Sequence, residues 1–377
     1  GGHEVTEPVA VQGAEVGDAI AIRIQKIAVR SRATASGTDA PVEGTRLKRG
    51  SRVIRKCPHC DAEFPATVVE GIGPGAIQCK HCGAEAMPYR ITSGYTMVFD
   101  GAETFGLTVD GDKAAAIARE AASYTALPSS SKQHSVLSLA SADLRGGILA
   151  RMRPFVGNIG TVPAIDVSAS CNCGDFGQSL HEDGLSSEEF DALTDGHLDA
   201  DSVREGAILV CPVKVQGGGV YLGDVHAMQG DGEIAGHTTD VAAEVTLRVE
   251  VIKGLSLQGP LLLPPVEDLP FLCQPYSEEE VDQARVLAKS WGVDLERAAP
   301  VQVVGSGPNL NAAVQNSLER TSSLLDMDLD EVRNRVTITG ALEIGRAPGL
   351  VLASIMAPED RLEQLGILPL VREQYGL

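Results

Sequence analysis

Two stretches of the chain concentrate side chains that could hold a metal ion or move a proton. The first is Cys57-Pro-His-Cys60 followed, after eighteen residues, by Cys79-Lys-His-Cys82. Four thiolates in two Cys-x-x-Cys knuckles have the spacing of a tetrahedral structural zinc site of ribbon type. Each knuckle is a tight turn whose backbone amides also stabilise the thiolates. Gly83 follows the second knuckle, as such a turn prefers. A four-thiolate shell is coordinatively closed, so Cys57, Cys60, Cys79 and Cys82 are read as ligands of a zinc ion that stabilises the fold and does no chemistry. A pair of redox dithiols is the alternative. His59 and His81 lie inside the knuckles and are read as bystanders, since the thiolates already fill the shell.

The second stretch runs from Gly223 to Asp240 and places Asp224, His226, Asp231, Glu233, His237 and Asp240 within seventeen residues, punctuated by glycines. In a strand, Asp224 and His226 project to one face, and Asp231 and Glu233 do the same across Gly232. A carboxylate–imidazole pair beside a second carboxylate pair suits a divalent cation or general acid–base work. The plain alternative is a polar turn of solvated carboxylates, because Gly-Asp-Gly is ordinary turn chemistry. Two further segments, Pro154–Ala164 and Ser170–Asp175, are rich in glycine and small residues that allow close backbone approach and so could line a site, although taken alone each reads first as an ordinary loop. Cys171, Cys173 and Cys211 read most simply as small buried residues. His134, His181 and His197 lie in polar stretches and read as solvated.

The elements that must position these residues are mostly strands. The chain has 377 residues, with 41 glycines, 20 prolines and only 4% aromatics, the composition of a turn-rich β protein packed with Val, Ile, Leu and Ala. Residues 8–29 read as strand–turn–strand about Glu15–Asp18, and 206–251 is the most strand-like part of the chain. Residues 31–50 read as a loop, 186–204 as a surface excursion with a short helix, and 256–276 as a connector. Helices are expected over 112–123, from the Ser277 capping box to Trp291, over 309–325 and over 328–334, with strands again over 335–356. Trp291 is read as a packing residue. The basic cluster Lys48, Arg49, Arg52, Arg55 and Lys56 opens the cysteine segment and sets it apart from an acidic background. The net charge of −20 disfavours nucleic acid and anionic membrane as partners, and 43% hydrophobic residues exclude wholesale disorder. No apolar run approaches the length of a transmembrane helix. Eight cysteines with four in knuckles indicate metal binding in a reducing compartment, so a cytoplasmic location is expected and no secretory leader.

Four motifs together carry a resemblance. Gly-Ala-Glu-Val-Gly-Asp (13–18), Pro-Phe-Val-Gly-Asn-Ile-Gly-Thr-Val-Pro-Ala (154–164), Cys-Asn-Cys-Gly-Asp (171–175) and above all Gly-Asp-Val-His-Ala-Met-Gln-Gly-Asp-Gly-Glu (223–233) resemble the acetamidase/formamidase family in kind, order and spacing. The resemblance covers about residues 3–30 and 95–360 and leaves the cysteine segment as an insertion. It implies a β-rich α+β fold, with a sandwich or barrel core and a C-terminal helical and β part, to which the cysteine spacing adds a small zinc-ribbon insertion. It also implies hydrolysis of short, neutral aliphatic amides to a carboxylate and ammonia at a metal-bearing site. Family members usually begin upstream of Gly1, so an N-terminal β segment is expected to be missing here. The family tends to have glycines around Asn172, a small residue at position 237 and Glu at position 240; here Cys171 and Cys173, His237 and Asp240 stand there.

On this resemblance Asp224 and His226 bind a divalent metal, zinc or another, with Asp175 or Asp231 completing the shell. Glu233 is the general base and then the acid to ammonia, and Asn172 donates to the substrate oxygen. Gly160 and His237 are placed at the substrate. The expected organisation is a β segment at 1–48, the ribbon at 49–92, a catalytic core at 93–275 and an α/β part at 276–377, in a homo-oligomer. Two rival readings stand beside this one. In the first, a metal-free amidase uses Cys171, Cys173 or Cys211 as nucleophile with His226 or His237 as base. In the second, a non-catalytic protein uses the ribbon for assembly or regulation.

Overall fold

The computed structural model describes residues 4–41, 45–48, 51–54, 56–87, 89–126, 139–167, 172–173, 186–347 and 349–377. Asp175, Cys171, His134 and His181 lie outside the described residues. In chain order the strands are β1 (Ala19–Val29), β2 (Ala33–Pro41), β3 (Thr45–Lys48), β4 (Ser51–Ile54), β5 (Thr67–Val69), β6 (Ile77–Cys79), β7 (Tyr89–Phe99) and β8 (Phe105–Val109). They continue as β9 (Leu149–Arg151), β10 (Phe155–Gly160), β11 (Ile208–Pro212), β12 (Tyr221–His226), β13 (Ala243–Ile252), β14 (Leu261–Leu263), β15 (Ala298–Ser306), β16 (Ala341–Ile344) and β17 (Leu350–Pro358). The helices are α1 (Gly111–Arg119), α2 (Ala121–Tyr124), α3 (Ser187–Asp191), α4 (Glu278–Trp291), α5 (Leu310–Leu325), α6 (Leu329–Thr339), α7 (Glu359–Gln364) and α8 (Leu368–Tyr375). The protein is a β-rich α+β fold, as expected from its sequence.

Seven strands form one antiparallel sheet in the order β13-β1-β11-β14-β15-β17-β16. Successive residues of a strand face opposite sides, and here both sides are buried. Ile20, Ile22, Leu209, Leu262, Val304 and Leu352 face one core, which they share with Val156 and Ile159 of β10 and Val225 of β12. Their neighbours Ala21, Ile208, Val210, Leu261, Val303 and Ile355 face a second core, closed by Leu325, Leu362, Val371 and Tyr375 from α5, α7 and α8. Helices therefore cover one side of the sheet, and the two-stranded β10–β12 sheet lies on the other. Strands buried on both sides cannot alternate, which is why the run Ala207–Val215 is almost wholly apolar. A four-stranded sheet, β2-β7-β8-β9, stands beside this body, with Met97 packing on Ala227 and Met228 just after β12.

Several expectations change. Residues 31–50 supply β2 and β3; Ala33, Thr34, Ala35 and Ser36 are buried, so a small, polar composition marks close sheet packing there, not a loop. The 256–276 connector contributes β14, whose three leucines are all buried and carry no period to read. Helix α6 runs on through Thr339, so the strands begin only at Ala341. Trp291 is 78% exposed at the end of α4, although the predicted capping box of Ser277 and Glu280 and the left-handed Gly292 both form. The seven-stranded sheet draws β1 from the N-terminal segment and β15 to β17 from beyond 276, so it runs across those expected boundaries. Strands β2 and β7 stay paired out to Pro41↔Tyr89, which makes the cysteine segment an outgrowth at the tip of that hairpin.

Candidate active site

Strands β10 and β12 pair as Phe155↔His226, Val156↔Val225 and Asn158↔Gly223, which sets Gly157 opposite Asp224. Asp224 leaves strand geometry with φ 58°, folding its carbonyl and carboxylate over Gly157. A Cβ on Gly157 would sit 2.5 Å from Asp199 Oδ1, 2.8 Å from the Asp224 carbonyl and 3.0 Å from Asp224 Oδ2. Only glycine admits the two carboxylates here. Asp224 and His226 meet as expected from the sequence, at 3.1 Å between Oδ1 and Nε2, with the left-handed turn at Asp224 part of the geometry.

The segment 193–200 was expected at the surface; it is buried throughout. It runs along β10, held by Ile159 N–H donating to Gly196 O and by Leu198 and Asp199 N–H both donating to Gly157 O. This brings His197 and Asp199 to the same place. His197 Nε2 lies 2.9 Å from Asp199 Oδ2 and 3.5 Å from Asp224 Oδ2. His226 Nε2 lies 3.4 Å from Asp240 Oδ1. Two groups able to hold a cation therefore share Asp224: His197, Asp199 and Asp224 on one side, and Asp224, His226 and Asp240 on the other. His197, read as solvated from its polar surroundings, is one of the central residues.

The electrostatics follow from burial among charges. Burial opposes a charged His226, but Asp224, then Asp240 and Asp199, outweigh it and push its pKa up to about 10. His197 is raised well above its ordinary value in the same way, with burial overcome mainly by Asp199. Burial and then the Asp199 charge push the Glu233 carboxyl well above the usual carboxylate range; His226, Asp224 and His197 also act on it. Glu233 thus belongs electrostatically to the cluster, and it too is left-handed, with φ 43°.

Other expected site residues lie elsewhere. Asp231 is exposed and belongs to neither cation group; its charge acts instead on Asp201 and Glu343, and Asp240 stands beside His226. Asn172 is buried, and its amide is committed to the protein. Its Nδ2 donates to Thr194 Oγ1 and Tyr221 OH, each at 2.7 Å, while Oδ1 accepts from Thr194 N–H at 2.9 Å. It anchors the start of the 194–199 segment through Thr194. Gly160 packs against the Gly196 backbone, a close approach within the frame. His237 is half-buried and in neither cation group. Arg346, from the turn between β16 and β17, was not singled out in the sequence; its Nε lies 3.3 Å from Asp199 Oδ2.

The cysteine segment forms two knuckles built alike. Asp61 N–H donates to Cys57 O and Gly83 N–H to Cys79 O; Cys57 N–H donates to Ala62 O and Cys79 N–H to Ala84 O. Asp61 and Gly83, each just after its knuckle, are both left-handed. Cys57 and Cys82 sulfurs are 3.6 Å apart and those of Cys60 and Cys79 are 3.9 Å apart. A tetrahedron with metal–sulfur bonds of about 2.3 Å has an edge of about 3.8 Å, so the four sulfurs fit a zinc ion. The backbone amide of His59 chiefly draws the Cys57 thiol down to about 6 against its burial.

A carboxylate–imidazole cluster on this antiparallel α+β frame could hold a divalent cation or move a proton. The model of the acetamidase/formamidase family matches residues 1–191 and 191–356, so the chain belongs to that family and is an amide hydrolase. Among solved structures, one described as a predicted acetamidase/formamidase from Thermoanaerobacter tengcongensis shares 19% identity at a TM-score of 0.50, covering 96% of this chain and 79% of its own. Acetamidases from Bacillus halodurans (19% identity, TM-score 0.48, 96% and 80% covered) and Yersinia enterocolitica (15%, 0.49, 94% and 73%) are also similar. No curated protein matches the chain. Among the described residues, no helix is long and apolar enough to cross a membrane.

Proposed function

We propose that the protein hydrolyses short aliphatic amides of the formamide or acetamide type to a carboxylate and ammonia. The observation that carries this reading is the buried sharing of Asp224 between His197–Asp199 and His226–Asp240, in a chain of an amidase family. Imidazole nitrogens with carboxylate oxygens suit a borderline divalent cation such as zinc. Asp199 Oδ1 is also buried without a hydrogen-bond partner, as a carboxylate oxygen beside a cation position would be. Either group would hold such a cation: Asp224, His226 and Asp240 on one side, and His197, Asp199 and Asp224 on the other. Such a cation, when bound, supplies Lewis acidity that polarises a carbonyl and acidifies water. Glu233, its proton affinity raised by burial, takes a proton from the attacking water and returns it to the departing nitrogen. Asn172 and Gly157 hold the carboxylate-bearing backbone in place.

Cys57, Cys60, Cys79 and Cys82 are assigned to a structural zinc ion, separate from this chemistry. A cysteine nucleophile finds less support: Cys211 lies in the sheet core with its thiol pushed far up by burial, and Cys173 is buried too. The test is ammonia release across formamide, acetamide, propionamide, urea and bulkier amides, repeated after exhaustive chelation. Full activity with no metal beyond the ribbon zinc would end the metal reading. Wild-type kcat in Glu233→Gln would remove the base, whose loss is expected to slow turnover by about 10²–10⁴-fold.

A further inference from the structure

The turn between β16 and β17 touches both halves of the site. Gly232 N–H donates to Ile344 O and Ala347 N–H donates to Gly232 O, so the turn clamps the loop that carries Glu233. Gln229 Nε2 bridges Asp199 O and Gly345 O. A side chain on Gly345 would run into the Leu198 carbonyl, so the turn also lies flat on the segment that carries His197 and Asp199. From this turn Arg346 sends a guanidinium inward, only 15% exposed, with Nε 3.3 Å from Asp199 Oδ2 and Nη2 donating to Cys173 Sγ at 2.7 Å. Asp199, Asp224, Asp240 and Glu233 crowd around two imidazoles, and Arg346 is the permanent cation placed against Asp199.

We infer that Arg346 is a positioning residue: it fixes the Asp199 carboxylate against His197, so that the C-terminal hairpin sets how firmly the His197–Asp199–Asp224 side retains its divalent ion. The inference rests on the proposed metal site. The same Asp199 oxygen, Oδ2, meets both Arg346 Nε and His197 Nε2, so the guanidinium and imidazole bracket it. Without Arg346 the carboxylate loses one side of that bracket and the mutual repulsion of the neighbouring carboxylates loses its nearest fixed counter-charge. Groups that orient a metal-binding side chain from behind are worth 10–100-fold in affinity.

Cobalt(II) titration of the ribbon-loaded, chelator-stripped protein tests this, because carboxylate–imidazole and thiolate ligation absorb differently. Arg346→Ala is expected to weaken cobalt affinity by about 10–100-fold, while Arg346→Lys, which keeps the charge, stays within about tenfold of wild type. Cys173→Ala, which removes the sulfur that Arg346 Nη2 meets, is expected to bind cobalt as wild type does. Should the alanine variant fail to fold, Arg346→Gln carries the measurement with the same expected loss. Wild-type affinity in the alanine or glutamine variant, or an equal loss in Cys173→Ala, overturns the inference. Wild-type protein that binds cobalt only at its thiolates refutes the proposed metal site itself, and this inference with it.

Discussion

Gly157→Ala isolates the geometry on which the site depends. Gly157 is not in the left-handed region, so alanine meets no backbone strain and the effect is wholly steric. The new Cβ would lie 2.5 Å from Asp199 Oδ1 and 2.8 Å from the Asp224 carbonyl. A comfortable carbon–oxygen contact is about 3.3 Å, so the carboxylate must retreat by about 0.8 Å and the carbonyl by about 0.5 Å. Displacements near 1 Å at a reacting centre lower rates by about 10²-fold, or about 2.7 kcal/mol of barrier. Overpacking adds about 1–3 kcal/mol of lost stability. The assay is kcat/KM for ammonia release from the best amide, with thermal unfolding measured alongside. Gly111→Ala is the control, because its Cβ would meet open space at the start of α1. Activity within threefold of wild type and an unchanged melting temperature in Gly157→Ala would refute the idea that Asp199 and Asp224 converge over this residue.

Three further outcomes are expected. Cys79→Ser should release one zinc per chain by elemental analysis and lower the melting temperature; unchanged zinc content would refute the ribbon. Burial chiefly, with Asp201 and Asp231 nearby, raises the Glu343 carboxyl from 4.5 to about 7. Because the folded pKa exceeds the unfolded one, its contribution to stability is full below about 4.5 and is lost as pH rises through about 7, with a ceiling of about 3 kcal/mol. Glu343→Gln should flatten that slope in denaturant titrations, and an identical pH profile in the variant would count against it. Arg320 of α5 pairs with buried Asp195 at 2.6 Å, so Arg320→Met strands that carboxylate and should cost about 3–5 kcal/mol in denaturant unfolding; a loss below about 1 would mean the charge is met elsewhere.

Much of the frame, the cysteine knuckles and the meeting of Asp224 with His226 were legible in the sequence, for identifiable reasons. The cysteine knuckles are local, so their spacing alone determines their geometry. Asp224 and His226 are two residues apart on one strand, and their meeting needed no tertiary knowledge. Asp199 and His197 were not legible, because they are far from Asp224 in the chain and lie in a stretch of Thr, Asp, Gly and His that has the composition of a surface loop. What buries them is pairing with β10, through the Gly157 and Gly196 carbonyls, and no local pattern encodes that. Arg346 was hidden for the same reason, on a turn nearly 150 residues from Asp199. Strand β14 escaped notice because three consecutive leucines have no period when both faces of a sheet are buried.

The backbone around the site explains why glycine-rich motifs mark it. Ten non-glycine residues are left-handed among those described, and four of them are Asp195, Asp199, Asp224 and Glu233. Each such residue costs of order 1 kcal/mol and persists only where its surroundings hold it. Asp195 is held by Arg320 and by Ser306 Oγ at 2.8 Å, Asp199 by Gly157 O, and Asp224 by the β10–β12 ladder on either side of it. Glu233 follows Gly232, which the β16–β17 turn clamps from both directions. The seven-stranded sheet supplies the stability that sustains these four positions, since its face of Ile20, Ile22, Leu209 and Leu352 packs directly under β10 and β12. Burying each such side chain is worth about 1.5–3 kcal/mol, so a few of them offset the strain of the whole cluster. Asp199, Asp224 and Glu233 can therefore be kept strained about one place, with Asp195 turned away to Arg320 and Ser306, because the stabilising contacts lie in a separate layer beneath them.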